Sequence, residues 1–299
     1  MSTKMRVAQP AVSPGSTASH ARTRARKRRL VGHILLYLGL AIASLVMIFP
    51  FIWMLLTSLK PESEVVRYPP QIWPHVWTLV SYANIWSRVP FARFFLNTVI
   101  FAGGVTCISL FLDSLTAYAV ARLRFPGRDA IFLGILALLM VPFQVTLVPL
   151  FNLIFQFGWL NTYAGLIVPR ATNAFGIFML RQFFITVPTE LDEAARMDGA
   201  NEFTIYWRII LPLSKSALAT LAVFHFMYNW NDFLWPLIIT TSTDMETLPA
   251  GLALFMGQHV IEYSLLCAGA ALALAPLIIA FFAAQRYFVQ GITLGAVKE

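Results

Sequence analysis

Ionic side chains are scarce in this chain. Only 12% of its 299 residues are charged, while 58% are hydrophobic. Soluble globular domains carry about 25% charged and about 45–50% apolar residues. So few ionic groups cannot cover a water-facing surface of this size. The apolar residues come in long blocks, which points to membrane-spanning helices. Cysteine is almost absent too. Cys107 and Cys267 lie in separate apolar blocks without a CxxC pair, so a disulfide framework is excluded and both read as small packing residues. No Gly-Lys dipeptide occurs, so the GxxxxGK[ST] phosphate cradle cannot form. No GxSxG nucleophile elbow occurs. His20, His33, His75, His225 and His259 are scattered without metal-ligand spacing. Neither enzyme chemistry nor a metal centre is expected of this polypeptide.

Negative charge is the scarcer sign. The net charge is +8 and the isoelectric point near 9.8. Eight of the 22 basic residues precede Leu30, and most others flank apolar blocks. That distribution is a topology signal with attraction to anionic lipid, and it does not call for nucleic acid. Residues 1–29, rich in Ser, Thr, Ala and Arg, read as a disordered basic tail. Residues 30–59 are too long for a signal-peptide core and lack a clear cleavage site, so they read as a retained first span.

Six spans are expected, at about 30–59, 94–121, 130–157, 162–184, 214–240 and 263–285. Each meets the roughly 20 residues that a 30 Å hydrocarbon layer requires. Backbone polar groups in lipid must be satisfied within the segment, so the spans are helices and the fold is all-α. Pro142 and Pro149 interrupt the third. With the N-terminus inside, inner segments hold 17 Lys and Arg and outer ones four, so both termini are expected in the cytoplasm. The organisation is then a tail over 1–29, one transmembrane domain over 30–285, and a cytoplasmic tail over 286–299. The outer segment Pro61–Arg93, with Trp73, Trp77, Tyr82 and Trp86, suits an interfacial belt or a small external cap. Gly103, Gly104 and Gly269 read as points of close helix packing.

The inner loop between spans four and five, 185–213, breaks the charge pattern. Arg181–Lys215 carries four basic residues and five acids, Glu190, Asp192, Glu193, Asp198 and Glu202. Thr189 with Asp192 forms a capping-box pattern, and the acids of the first turn complement the helix dipole. Gly199 supplies a stop. Asn201 caps a second helix over 202–210 that Pro212 closes. Caps of about 1 kcal/mol each cannot hold two short helices in water, so the pair needs a surface to pack against. An ordinary structured loop is the other reading of these caps.

Glu193-Ala194-Ala195, then Gly199, then Ile209-Ile210-Leu211-Pro212 resembles the EAA motif of ABC importer permeases, in spacing and in position before the penultimate span. Ala117–Arg122 with Phe125-Pro126-Gly127, Val141–Gln144, Phe178–Phe184, Trp230–Pro236 and Gln285–Gly291 through Lys298 resemble its sugar-importing branch, of the maltose and glycerol-phosphate type. The resemblance covers nearly everything after residue 30. It implies a type I ABC importer permease fold with six spans in a bacterial-type cell membrane. It also implies a second homologous permease subunit, an ABC ATPase dimer and an extracytoplasmic solute-binding protein. No cofactor is then expected in this chain, with ATP and Mg2+ on the ATPase. Glu193 would contact the ATPase, Ala194 and Ala195 would permit close approach, Gly199 would make the turn, and Asp198, Leu211 and Pro212 complete the coupling set.

Charges at membrane depth cost about 2.5–3.5 kcal/mol on insertion scales. Asp113, Arg170 and Asp232 are therefore singled out. Arg170 and Asp232 each lie eight residues from an outer span end, so roughly 12 Å deep. They are expected to share a depth and to face the same translocation path, in reach of an ion pair, with unrelated orientations or a structural bond as the alternatives. Asp113 lies nearer the cytoplasm. The resembling family usually has small or apolar residues where this chain has Asp113 and Arg170. Gln144, Asn173, Asn229 and Asn231 supply amides suited to sugar hydroxyls, with interhelical bonding as the alternative. The cargo stays open among disaccharides, oligosaccharides and glycerol-phosphate-like solutes, and Arg170 tilts the balance toward an anion. An ion- or proton-coupled secondary transporter is the second reading. It rests on Asp113 and Asp232 and lacks an internal inverted repeat.

Overall fold

The computed structural model describes residues 16–256 and 261–296, with backbone only for 16–31, 283–284 and 286–296. The elements are α1 (Ser16–Ser58), α2 (Val80–Arg88), α3 (Phe91–Arg122), α4 (Arg128–Leu138), α5 (Phe143–Gln156) and α6 (Ala174–Phe184). Then come α7 (Glu190–Met197), α8 (Glu202–Ile205), α9 (Lys215–Trp230), α10 (Leu234–Ile239), α11 (Leu248–Leu252) and α12 (Tyr263–Ala296). No strand occurs among the described residues, in keeping with the all-α expectation.

Three helices are long and apolar enough to cross a membrane, over 32–58, 91–122 and 263–282. The count rises to five if each of two bent pairs is one span. The expected third span is one such pair: α4 and α5 meet at 97° across the break before Pro142. Pro142 blocks helical geometry in the residue before it. Pro149 sits inside α5 without ending it. The expected fourth span is broken as well. A turn over Tyr163–Ile167 and a 3-10 turn over Val168–Arg170 precede α6, which has only 11 residues. The fifth stops at Trp230 and resumes at Leu234.

The described residues fall into two units, one ending at Met54 and one beginning at Leu55. In the first unit, the side chains from Gly32 to Ile52 are all exposed. An apolar helix bare of contacts belongs in lipid or against another protein. Its backbone is already helical from Ser16, so the helix reaches into the stretch expected to be disordered. Ala, Arg and Lys are good helix formers, and extending an existing helix costs less than nucleating one. Residues 1–15 of that expected tail lie outside the described residues. At the other terminus α12 runs through 286–296, part of the expected tail, as helix.

In the second unit α3 is the central post, packed on α6 and α9, while α9 packs on α12. Gly104 meets Ile167, and Gly269 meets Leu252 and Ile85, whereas Gly103 faces open space. Cys107 is exposed instead of packed. At one end Asn97 donates to the carbonyls of Asp244 and Glu246 and accepts from Tyr163 Oη, tying three segments together. Also at that end Glu62 accepts from the backbone N–H groups of Tyr263 and Ser264, which caps α12. Glu64 accepts from His75 and Val76 N–H, and the His75 bond holds its carboxyl below the usual range. The segment Pro61–Arg93 is therefore folded, and it leaves Trp73, Trp77 and Trp86 exposed.

Candidate functional site

Two constructions stand out, one at each level of the bundle. The first is the loop at the far end, where α7 and α8 form a tight corner. Gly199 adopts φ +82°. Its N–H bonds to Arg196 O, and Ala200 N–H bonds to Ala195 O. This is the Schellman arrangement that ends a helix on a left-handed residue. A residue with Cβ would cost about 1–2 kcal/mol there. Asn201 caps α8 as expected, its side chain accepting from Thr204 N–H.

Two expectations for this loop need correction. Thr189 makes no side-chain cap. The Asp192 carboxylate that would complete the capping box instead lies 3.6 Å from Arg122 Nη1, with both side chains under 5% exposed. A buried partner charge outcompetes a backbone N–H. Burial pushes the Asp192 carboxyl up, and Arg122 opposes that shift. Pro212 does not close the second helix at 210 either. The helix continues as a π segment over Tyr206–Ile210 and a last turn over Leu211–Leu213. Leu211 N–H reaches back five residues to Tyr206, a register that accommodates the missing donor of Pro212.

The surface these helices need comes largely from this chain. Ala195, Ile205, Tyr206 and Ile210 join Ala117, Tyr118 and Leu180 in one buried cluster. Ala195, expected to face a partner, is thus turned inward, while Glu193, Ala194 and Asp198 are exposed. Leu211 is partly buried and Pro212 exposed. Tyr118 Oη donates to Glu202, which also accepts from Arg196 Nε at 2.9 Å. The outward face carries Leu191, Met197, Phe203 and Trp207, each at least 41% exposed, with Phe203 and Trp207 stacked.

The Arg196 bond, aided by Tyr118, holds the Glu202 carboxyl below its ordinary 4.5. The stabilisation is complete above about pH 4.5 and is lost as pH falls through the depressed value. Amide protection in 190–213, corrected for the slower intrinsic exchange in acid, should therefore fall on acidification below that range, and Glu202→Gln should remove the share due to this carboxylate.

The second construction is a cavity of about 500 Å3 where the helices break. Arg170, Thr172 and Asn173 reach it from the 3-10 turn and the start of α6, and His225, Tyr228 and Asn229 from α9. Phe143 and Val141 close the side formed by the Pro142 break. Irregular backbone at membrane depth is tolerated only where it is buried or lines such a space. The expected pair forms: Arg170 Nη2 donates to Asp232 Oδ2, with side chains 12% and 9% exposed. Asp232 Oδ1 also accepts from Trp235 N–H, which seats the carboxylate at the start of α10. The guanidinium carbon of Arg170 lies 4.3 Å from the Phe143 ring centre and 5.5 Å from that of Tyr228.

Arg170, Asn173 and Asn229 are thus brought together, and Asp232 stands behind Arg170. Gln144 and Asn231 are not among the lining residues. Both are exposed, and Asn231 donates to Met227 O on its own helix. The sequence reading passed over His225. Its ring is buried, and Nε2 lies 3.1 Å from Asp113 Oδ2. Asp113 Oδ1 accepts from Thr172 Oγ1 and Asn173 N–H. Asp113 is therefore the bolt of α3, α6 and α9. The one available signal was the spacing of four from His225 to Asn229, a shared helix face.

Gly176 lets that bolt close. A Cβ there would collide with the Asp113 carboxylate and the His225 ring. Gly176→Ala should lower stability in detergent by about 1–3 kcal/mol, read from thermal unfolding.

Comparison with known proteins adds four findings. Residues 114–294 match the family described as binding-protein-dependent transport system inner membrane component. The chain is 36% identical over 267 residues to the arabinooligosaccharides transport system permease protein AraQ of Halalkalibacterium halodurans, covering 88% of this chain and 96% of that protein. It is 35% identical over 271 residues to the sn-glycerol-3-phosphate transport system permease protein UgpE of Escherichia coli, covering 88% and 95%. Among solved structures, a chain of a bacterial ABC transporter that imports the acidic polysaccharide alginate aligns with a TM-score of 0.79. It shares 24% identity and covers 88% of this chain and 98% of its own.

Proposed function

The chain belongs to the binding-protein-dependent transport system inner membrane components, and from that premise we propose that it is one permease subunit of an ATP-driven ABC importer for a sugar or sugar-like solute. The observation that carries the reading is the corner of α7 and α8. It is fixed to α3 by the buried Arg122–Asp192 pair and yet presents an apolar face to its surroundings. A rigid, outward-facing knob of this kind suits a docking contact that must transmit force.

Six spans are proposed. The three long helices are joined by the bent pair α4–α5, by α9 continued in α10, and by the broken segment 162–184. Both termini lie in the cytoplasm by the distribution of Lys and Arg. The knob then projects into the cytoplasm, where an ABC ATPase dimer receives Glu193, Ala194, Asp198 and the aromatic face. ATP and Mg2+ bind on that partner, because this chain has no phosphate cradle. A second homologous permease completes the path, and an extracytoplasmic solute-binding protein docks on the outer cap. Arg170, Asn173, Asn229 and Asp232 belong to the solute path. ATP-driven closure rocks the bundle between states that the ligands discriminate.

The rival reading needs a free intramembrane carboxylate for coupling. Asp113 and Asp232 are each engaged by a basic side chain, which argues against it. The test is uptake into proteoliposomes holding the complete importer, with labelled di- and oligosaccharides and glycerol phosphate as probes. Uptake should require both the ATPase and ATP. Uptake driven by a proton or sodium gradient without the ATPase would overturn the proposal.

A further inference from the structure

A cavity with an arginine in its wall suggests an anionic cargo, but the charges around this one cancel. Arg170 is the sole cation of fixed charge among the lining residues, and Asp232 is bonded to it. The lining His225 is bonded to a second carboxylate, Asp113. Even with His225 protonated, the two pairs sum to zero, and with His225 neutral they sum to one negative charge. An anionic group entering here gains no net attraction and must give up its hydration, a cost that only a paired charge offsets. The guanidinium is flanked by the faces of Phe143 and Tyr228. What remains toward the space is uncharged. Asn173 Oδ1 accepts from Phe175 N–H, Asn229 Nδ2 donates to His225 O and Thr172 Oγ1 donates to Asp113, which leaves the Asn173 NH2, the Asn229 amide oxygen and the Thr172 lone pairs, beside the aromatic faces of Tyr228 and Phe143. That is the chemistry of an uncharged sugar ring, whose hydroxyls bond to amides and whose C–H faces stack on aromatics.

We propose that this cavity takes an uncharged saccharide unit and that Asp232 determines the specificity, by cancelling Arg170 and so excluding uronate and phosphate sugars. The proposal rests on the sugar-importer reading and narrows it. Asp232 suits the role because the backbone N–H of Trp235 fixes its other oxygen at the start of α10. An amide at this position keeps the acceptor for Trp235 N–H and loses both the charge and the acceptor that held Arg170.

The experiment uses the complete importer in detergent, without its solute-binding protein, so that the upstream partner does not select the ligand. Saturation-transfer NMR measures binding of maltotriose and of trigalacturonate. The unmodified importer should bind maltotriose at least about tenfold more tightly than trigalacturonate, since an unmatched charge near a partly buried site is worth at least that. Asp232→Asn should raise trigalacturonate affinity by about tenfold or more and leave maltotriose within about threefold. Equal or tighter binding of trigalacturonate by the unmodified importer overturns the proposal, whether or not the variant folds. An unchanged ratio in a folded Asp232→Asn importer overturns the role of Asp232. Failure of the parent reading is seen separately, as loss of ATP-dependent uptake of every saccharide by the unmodified importer with its binding protein present.

Discussion

Trp207→Asp should detach the ATPase while leaving the membrane domain folded. Trp207 is 53% exposed and stacks on Phe203, itself 62% exposed, on the outward face of the α7–α8 corner. Exposed aromatics on a rigid surface make the strongest anchors in protein interfaces, and each contributes about 2 kcal/mol or more. That corresponds to roughly 30-fold in dissociation constant per anchor. Phe203→Asp should therefore act alike, and the double variant should abolish co-purification of the ATPase and ATP-dependent uptake. Neither side chain is in the buried cluster beneath, so the unfolding temperature of the isolated permease should hold within a few degrees. Titration of purified ATPase onto the permease in nanodiscs checks the affinity. Unchanged affinity in the double variant would place the docking surface elsewhere.

Asp113→Ala should be the most damaging single change inside the bundle. The carboxylate is fully buried and accepts from Thr172, Asn173 and His225. A carboxylate only accepts, so His225 Nε2 carries the proton toward it. Truncation strands three donors in a low-dielectric interior. Removing one partner of a buried pair costs about 3–5 kcal/mol. Asp113→Asn keeps one strong acceptor and should cost less than half as much. Thermal unfolding in detergent, with His225→Ala measured beside both, separates a structural bolt from a transport residue. A bolt predicts that the losses of Asp113→Ala and His225→Ala are strongly non-additive in the double variant.

Local information made much of the α7–α8 corner legible. Gly199 was identifiable as a turn residue because only a left-handed position rewards glycine so specifically, and it sits at φ +82°. Asn201 was identifiable as a cap because its acceptor serves N–H groups three residues away. Asp192 misled for the same reason. Its neighbours matched a capping box, but its partner Arg122 is 70 residues distant and invisible to spacing. The alanines were legible as a motif and not as a pair, since Ala194 is exposed and Ala195 is buried in this chain's own core.

By itself the sequence determined that this is a helical membrane protein, and it singled out two charges of opposite sign within apolar stretches. Hydropathy and span length are properties of contiguous residues, whereas depth follows from counting only where the helix is unbroken. Only the tertiary structure decided what those charges do. The rotation of each helix about its axis, and the breaks at Pro142, Arg170 and Trp230, set which side chains meet. They bring Arg170 onto Asp232 across 62 residues and His225 onto Asp113 across 112. An arginine that pointed to an anionic cargo when read alone becomes, once paired, half of a neutral wall.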